Sequence, residues 1–254
     1  MLAGAAAIAL LIGLACGLDA GRMFRPSPEL FMLSTVEIDR LRMHADQGRD
    51  DAALDRLRRA ARHGNLGAGH AAASVLLARH DPAQVREGMQ LVALAANEND
   101  APSQYLLGKA YFDGVGGGAG AADRVSARTW LMRAARQQHP QAMYLLGLIY
   151  KNGYGTPVNE IAAAAWFGKA AELGDANAMF MLGNAYQAGA GVRQSSRDAV
   201  RLYMQAAEQE HPLAIQTLSY GFRDGSLRLP QNERQASEFM LEVAHALQHL
   251  TPVN

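Results

Sequence analysis

The chain repeats its own sequence at a fixed interval over much of its length, and this periodicity limits the fold more than any other feature. The stretch AMYLLGLIYKNG from Ala142 returns 36 residues later as AMFMLGNAYQAG from Ala178, and again, more loosely, from Ala214. A further copy, from Ser103, falls in the same frame at an offset of 39 residues. A repeat of this length is typical of a solenoid, in which each unit buries its apolar side against its neighbours.

Each unit is expected to fold as two helices joined by a turn. In the first half of a unit, small and apolar residues recur at helical spacing, at Ala142, Leu146, Gly147 and Tyr150. Gly153 and Gly155 follow, and glycine adopts the positive φ of a tight turn without a steric penalty. The second helix is predicted to begin after Asn159 and to bury Ala163, Trp166, Phe167 and Ala170.

Glycine also recurs inside the first helix of the units. Gly108, Gly147 and Gly183 occupy one position of the frame, and Ser219 is its fourth member. A glycine in a helix interior costs about 1 kcal/mol relative to alanine. We therefore expect a close crossing of two helices there, where a side chain would collide with the neighbour.

The motif as a whole resembles the Sel1-like repeat, a relative of the tetratricopeptide repeat. It reads here as Ala142, Leu146, Gly147, Tyr150, Gly153, Gly155, Ala163, Trp166, Lys169, Ala170, Ala171 and Gly174. The resemblance implies an all-α, right-handed superhelical solenoid of helix-turn-helix repeats with a concave face. It also implies an adaptor or scaffold role, often in the bacterial envelope, and no catalytic residues.

The frame divides the chain into four segments. Residues 100–250 are predicted to hold four Sel1-like repeats, and residues 35–99 degenerate helical repeats that precede them. Residues 21–34 form a linker, in which Pro26 and Pro28 prevent a continuous helix. Residues 1–20 form an apolar segment that we expect to be helical.

One frame position carries an aromatic residue in three successive units, and these residues are candidates for partner binding. Tyr105, Tyr144 and Phe180 each lie two residues before a buried leucine, about 200° away around the helix. They are therefore expected to face the concave groove, where aromatic side chains suit the apolar anchors of a protein or peptide. The alternative is that they pack against the preceding repeat. The polar rim of the groove is predicted to include Lys109, Asn184 and Arg223.

The N-terminal segment carries no charge from Leu2 to Leu18. As a helix it would extend about 25 Å, slightly less than a hydrocarbon core of about 30 Å. Four interpretations stay open: a retained membrane anchor, a cleaved secretory signal, a lipoprotein signal acylated at Cys16, and a buried helix. All but the last place the repeats at the cell envelope, in the periplasm. Three residues near the segment are candidates for docking to a membrane or a partner: Phe24, Phe31 and Met32.

Composition and spacing argue against several other functions. The chain carries 24 basic and 24 acidic residues, so no net charge favours nucleic acid. The single cysteine, Cys16, excludes an intrachain disulfide and a zinc site built on several thiolates. The glycine-rich loop from Gly114 lacks the Gly-Lys-Ser/Thr sequence of a phosphate-binding loop. His245 and His249 lie one helical turn apart without an evident third ligand.

A second set of frame positions is interpreted as polar turn residues rather than metal ligands. Asp100, His139, Asp175 and His211 occupy the junctions between units. Successive helices in a stack lie about 8–10 Å apart, whereas ligands must converge to about 2 Å from one ion. We therefore expect no metal at these positions. Because the resemblance also implies no catalytic residues, we expect no cofactor, no small-molecule substrate and no enzymatic activity.

Two hypotheses for function follow. The first is a protein-binding adaptor that holds its partner in the concave groove of a membrane-tethered or, after cleavage, periplasmic solenoid. The second is a structural accessory subunit of a membrane protein complex, docked through its N-terminal helix and linker.

Overall fold

A computed structural model of the chain describes residues 32–79, 81–115, 122–239 and 241, and every regular element in these ranges is helical. The all-α class predicted from the repeat is therefore confirmed for this part of the chain. By Cα proximity, residues 1–75 and 76–254 form two compact units. The predicted N-terminal helix, Cys16, Phe24, Phe31, His245, His249 and most of the glycine-rich loop lie outside the described residues.

The first unit contains two helices and the beginning of a third: α1 (Thr35–Gln47), α2 (Asp51–Arg62) and α3 (Leu66–Ala78), which continues into the second unit. Side-chain caps start the first two helices, because the Ser34 hydroxyl accepts from the Glu37 N–H and the Asp50 carboxylate accepts from the Ala52 N–H. The core of the unit includes Ile38, Ala45, Leu54 and Leu57.

The second unit is a stack of helical hairpins. Its helices are α4 (Pro82–Asn97), α5 (Ala101–Asp113), α6 (Arg124–Arg136), α7 (Pro140–Asn152), α8 (Glu160–Glu172), α9 (Ala176–Ala188), α10 (Ser196–Ala207) and α11 (Pro212–Asp224). A short 3-10 helix (Ser226–Arg228) and helical residues 233–239 follow. We call α5, α7, α9 and α11 the first helices, and α6, α8 and α10 the second helices.

Contacts within and between hairpins follow one pattern. Each first helix packs along the second helix of its own repeat, α5 on α6, α7 on α8 and α9 on α10. Each second helix then packs on the first helix of the next repeat, and α5 also contacts α7 directly. Because every repeat contacts its sequence neighbours, residues 101–224 form the continuous layered rod of an α-solenoid.

The mid-helix glycines lie where the two helices of a repeat cross. A Cβ atom built on Gly147 would lie 2.4 Å from the Phe167 ring, and one built on Gly183 would lie 2.6 Å from the Tyr203 ring. At Gly108 the Leu131 side chain is 2.8 Å away. The close crossing expected from the sequence is confirmed, because the large residue of the second helix occupies the volume that a side chain would need.

The junction residues cap the first helices. Asp100 and Asp175 accept from the N–H groups of Ser103 and Ala178, each at 2.8 Å. Nδ1 of His139 and His211 accepts from the N–H groups of Ala142 and Ala214, at 3.4 and 3.2 Å. Their interpretation as turn residues is confirmed, because these side chains satisfy amide groups that a helix N-terminus leaves unpaired.

Among the helices of residues 32–79, 81–115 and 122–239, none combines the length and apolar character needed to span a bilayer.

Candidate partner-binding face

The three aromatic residues of the repeated frame are half-buried, and two of them stack on the cap of the following repeat. The Tyr105 ring stacks on the His139 ring, with centroids 4.5 Å apart and planes at 20°. The Phe180 ring stacks on the His211 ring at 4.9 Å and 26°. We call Tyr105, Tyr144 and Phe180 the aromatic row, and Asp100, His139, Asp175 and His211 the cap row.

Tyr144 differs from the other two members of the aromatic row, because the cap of the next repeat is an aspartate. The charge of Asp175 acts on the Tyr144 phenol, whose pKa is raised first by burial and then by this carboxylate. On its own repeat the Tyr144 ring meets Phe167 at a centroid distance of 6.1 Å, and Phe180 meets Tyr203 at 5.6 Å. The aromatic row is thus fixed by its own second helix and by the next repeat.

Burial also shifts the pKa values of two members of the cap row, Asp175 and His211. It raises the pKa of the Asp175 carboxyl, against the N–H groups of Ala178 and Asn177 and the charge of His211, which lower it. The pKa of His211 is lowered by the same burial, although the charge of Asp175 raises it. A neutral imidazole is the form that accepts the Ala214 N–H, so this pKa direction agrees with the observed cap.

The sequence alternatives for the aromatic row are only partly resolved by this geometry. The rings pack on the following repeat, whereas the alternative considered from the sequence was packing on the preceding one. Each of the three residues stays partly exposed beside the first helices. Contact with a partner therefore stays a prediction.

The predicted polar residues are not brought together into one cluster. Lys109 forms an ion pair with Asp113, one turn further along α5. Asn184 Oδ1 lies 2.8 Å from the Tyr203 hydroxyl, whose pKa burial raises to about 12. The Arg223 guanidinium lies 4.6 Å from the centroid of the Tyr220 ring. Each of the three belongs to a different repeat and has its own local partner.

Sequence reasoning missed an apolar extension of this surface into the fourth repeat. Leu213 and Tyr220 are 53% and 39% exposed on α11. They occupy the frame positions of Asn177 and Asn184 in the third repeat, and these polar counterparts indicate a helix face that is not part of the core. Met32, a predicted docking residue, is 73% exposed at the start of the described chain.

A small cavity was also missed. It has a volume of about 190 Å³ and lies between the second and third repeats, bordered by α7, α8 and α9. Its floor is apolar, and Lys151, Glu160 and Asn184 are the polar residues that line it. No metal-binding group of three His, Cys, Asp or Glu side chains occurs among the residues that the structure describes.

Solved structures of similar fold come from bacteria. A Sel1 repeat protein from Oxalobacter formigenes superposes with a TM-score of 0.68 at 24% identity, covering 84% of this chain and 83% of that chain. A protective antigen present in uropathogenic Escherichia coli strains gives 0.56 at 23%, covering 87% and 56%. An immunity protein from Pseudomonas aeruginosa gives 0.56 at 19%, covering 84% and 83%. At these identities the likeness shows the fold alone. No curated protein sequence matches the chain.

The repeat units themselves match a known family. Sel1 repeats are recognised at residues 101–139, 140–175 and 176–211. Each begins directly after one member of the cap row and ends on the next member. Solenoids of this family are generally scaffolds for protein–protein interaction, and stacked repeats provide the extended surface that such binding uses. Over residues 101–211 this chain is a Sel1-like repeat protein.

Proposed function

We propose that the protein is a non-catalytic scaffold that binds a protein partner along its first helices, at the cell envelope. The observation that supports this is the aromatic row, in which the half-buried rings of Tyr105 and Phe180 stack on the caps of the next repeats and the Asp175 cap acts electrostatically on Tyr144. A partner that contacts the row would contact several repeats at once. Aromatic residues that are already held in place lose little conformational entropy on binding, which is why they dominate binding energy at many interfaces.

The chemistry of this surface suits a neutral, amphipathic segment. The exposed side chains of α7 and α9 that precede the aromatic row by one turn are amides, Gln141 and Asn177. The nearest buried carboxyl, Asp175, is engaged in capping α9. A peptide or helix with apolar anchors and hydrogen-bonding side chains fits this surface better than a strongly charged one.

The test compares two double variants in capture of partners from solubilised membranes and from the soluble fraction. Tyr144→Ser with Phe180→Ser removes two rings of the aromatic row. Val125→Ser with Ile161→Ser makes the same kind of change on the second helices, where these side chains are 58% and 73% exposed. We expect the first pair to abolish capture of a specific partner and the second pair to retain it, with circular dichroism showing that both fold. Equal capture by both pairs would contradict the proposal.

A second candidate is a structural subunit that docks through the N-terminal part of the chain. Met32 and Val36, at the start of the first unit, are 73% and 69% exposed, so apolar surface is available there. Removing residues 1–34 should abolish partner capture under this hypothesis and leave it intact for the scaffold. Intact mass of the purified chain would test cleavage or acylation at Cys16, and fractionation of cells would test the envelope location.

A further inference from the structure

The junction between the first and second repeats is closed by three side chains that meet in one place. The Arg124 guanidinium lies 4.3 Å from the centroid of the Phe112 ring and 4.6 Å from that of the Tyr154 ring. Its Nη1 donates to the Phe112 carbonyl at 2.6 Å, and the two rings meet edge to face at 5.8 Å. Cation–π contacts of this kind hold a guanidinium and its rings in a fixed arrangement.

The repeat frame identifies the corresponding residues one junction further on. Phe112 and Lys151 are each twelve residues after a member of the cap row, Asp100 and His139. Arg124 and Glu160 are the first residues of the second helices. Tyr154 and Ala190 each stand between two glycines of positive φ, Gly153 and Gly155 in one turn, Gly189 and Gly191 in the other.

The backbone confirms that the two junctions are built alike. A Cβ atom on Gly155 would lie 2.8 Å from Arg124 Cβ. A Cβ atom on Gly191 would lie 2.1 Å from the Glu160 carbonyl oxygen. In both junctions the turn therefore packs on the first residue of the second helix of the preceding repeat.

The cavity of about 190 Å³ lies at the second of these junctions, where the side chains differ from those of the first. Lys151, Glu160 and Ala190, the three counterparts of the closed junction, all line it. Alanine at 190 removes the ring that Tyr154 supplies at the first junction. The floor consists of Phe167, Met181, Ala185 and Ala188. Ligand sites for small molecules measure about 300–1,000 Å³, so this cavity fits one side chain rather than a metabolite.

Resting on the proposed scaffold function, we infer that this cavity is the anchor pocket for a tyrosine side chain of the protein partner. The chain itself shows that a tyrosine ring fills the equivalent space at the first junction. The charges at the cavity also suit a phenol, because the Glu160 carboxylate can accept its O–H and the Lys151 ammonium can lie over the ring face. Neither charge forms an ion pair with another residue of the described chain.

The pocket also lies where a partner on the first helices would reach it. Lys151 belongs to α7, and Met181, Asn184 and Ala188 belong to α9, both of which are first helices. Met181 directly follows Phe180 of the aromatic row. A partner segment that crosses the aromatic row at the third repeat can thus place a tyrosine side chain into the pocket. Residues that dominate the binding energy of an interface usually occupy such pockets.

The experiment uses the full chain with 13C-labelled alanine methyl groups and p-cresol as the probe for a tyrosine side chain. We expect saturable shifts at the methyl groups of Ala163, Ala185 and Ala188, with a dissociation constant on the order of millimolar for a ligand of this size. Toluene lacks the hydroxyl, so it should bind about threefold to tenfold more weakly, the effect of one hydrogen bond.

Ala190→Tyr is the decisive variant, because it places the ring of the first junction into the same Gly-X-Gly turn. It should remove the p-cresol shifts and preserve or raise the melting temperature. The triple variant Lys151→Phe, Glu160→Arg, Ala190→Tyr transplants the whole closed junction and should do the same. No saturable shift in the wild type, or an equal shift in Ala190→Tyr, would overturn the pocket. Neither result bears on the aromatic row, which is tested separately by the capture experiment. A failure of the pocket and a failure of the proposed scaffold function are therefore distinguishable.

Discussion

On the first helices, the rings of Tyr105 and Phe180 stack on the histidine caps of the next repeat. Along the middle of the second helices, by contrast, cation–π contacts join residues of the same helix, Arg133 over Trp130 and Lys169 over Trp166. The first-helix layer thus links repeats through side chains that remain partly exposed. A partner that binds this layer would meet aromatic rings already fixed by contacts between repeats.

The largest expected effect comes from adding one methyl group to a glycine in each layer. Gly147→Ala places a Cβ 2.4 Å from the Phe167 ring on the opposing helix, so we expect a loss of about 2–3 kcal/mol in the free energy of unfolding. Gly168→Ala on α8 meets no atom within 4 Å. It should gain about 0.5–1 kcal/mol from helix propensity alone. Denaturant unfolding of both variants checks the pair, and a change of the same sign in both would refute the packing described for the two layers.

A smaller effect is expected from the hydroxyl that joins the layers at the third repeat. The fully buried Tyr203 of α10 lies within 2.8 Å of Asn184 Oδ1 and of Gln187 Oε1 on α9. Tyr203→Phe should cost about 1–1.5 kcal/mol, because it leaves amide groups without their partner.

Tyr220→Phe is the matched control, since that ring is exposed on α11 and should change stability by less than about 0.5 kcal/mol. Thermal unfolding of the two variants at neutral pH gives the comparison. If the Tyr203 variant were as stable as the control, the hydroxyl would not hold the layers together.

The cap row predicts a dependence of stability on pH at His211. Burial lowers the pKa of His211 in the folded protein, so the unfolded chain binds a proton more readily. Stability from this group is therefore present above pH 6.5 and is lost as the pH falls towards the folded pKa. Losing the cap should cost about 1 kcal/mol. Asp175, whose pKa burial raises, works in the opposite direction near the acidic end of this range.

His211→Asp keeps a side-chain acceptor and removes the imidazole, because a carboxylate caps the same frame position at Asp100 and Asp175. Unfolding of the wild type and this variant between pH 5 and pH 8, about 1.5 units on either side of the ordinary histidine pKa of about 6.5, isolates the contribution of His211. The variant should show the shallower profile. Identical profiles would mean that the imidazole is not held neutral by the fold.

The smallest expected effect lies at the surface of the second helices. Val125→Ser with Ile161→Ser should alter the free energy of unfolding by less than about 0.5 kcal/mol per residue, because both side chains are already exposed. A loss well above that, measured by denaturant unfolding, would show that these side chains make packing contacts that the structure does not contain.

The sequence predicted those parts of the molecule that depend on one repeat at a time. Gly147 indicated the helix crossing, because a glycine that destabilises a helix interior is explained by a close neighbouring helix. Asn159 indicated the start of α8. Both follow from local propensity and period. The stacking of Tyr105 on His139 was not predicted, although both residues were singled out, because it depends on the rotation of one helix relative to the next repeat.

Prediction of the cavity from the sequence would have required contacts between two repeats. Its three distinguishing residues, Lys151, Glu160 and Ala190, come from two repeats and have unremarkable roles when taken singly. Only the contact of Arg124 with Phe112 and Tyr154 shows that the frame positions converge. Once that convergence is known, the substitution of alanine for tyrosine can be read directly from the sequence.

The most direct test of binding along the first helices is site-specific photo-crosslinking in cells that naturally express the protein. A photoreactive residue at Gln141 or Asn177 lies one turn before Tyr144 or Phe180, and one at Ala165 lies exposed on α8. We predict a protein adduct from positions 141 and 177 and none from position 165. Adducts that form from position 165 alone, or equally from all three positions, would contradict the account.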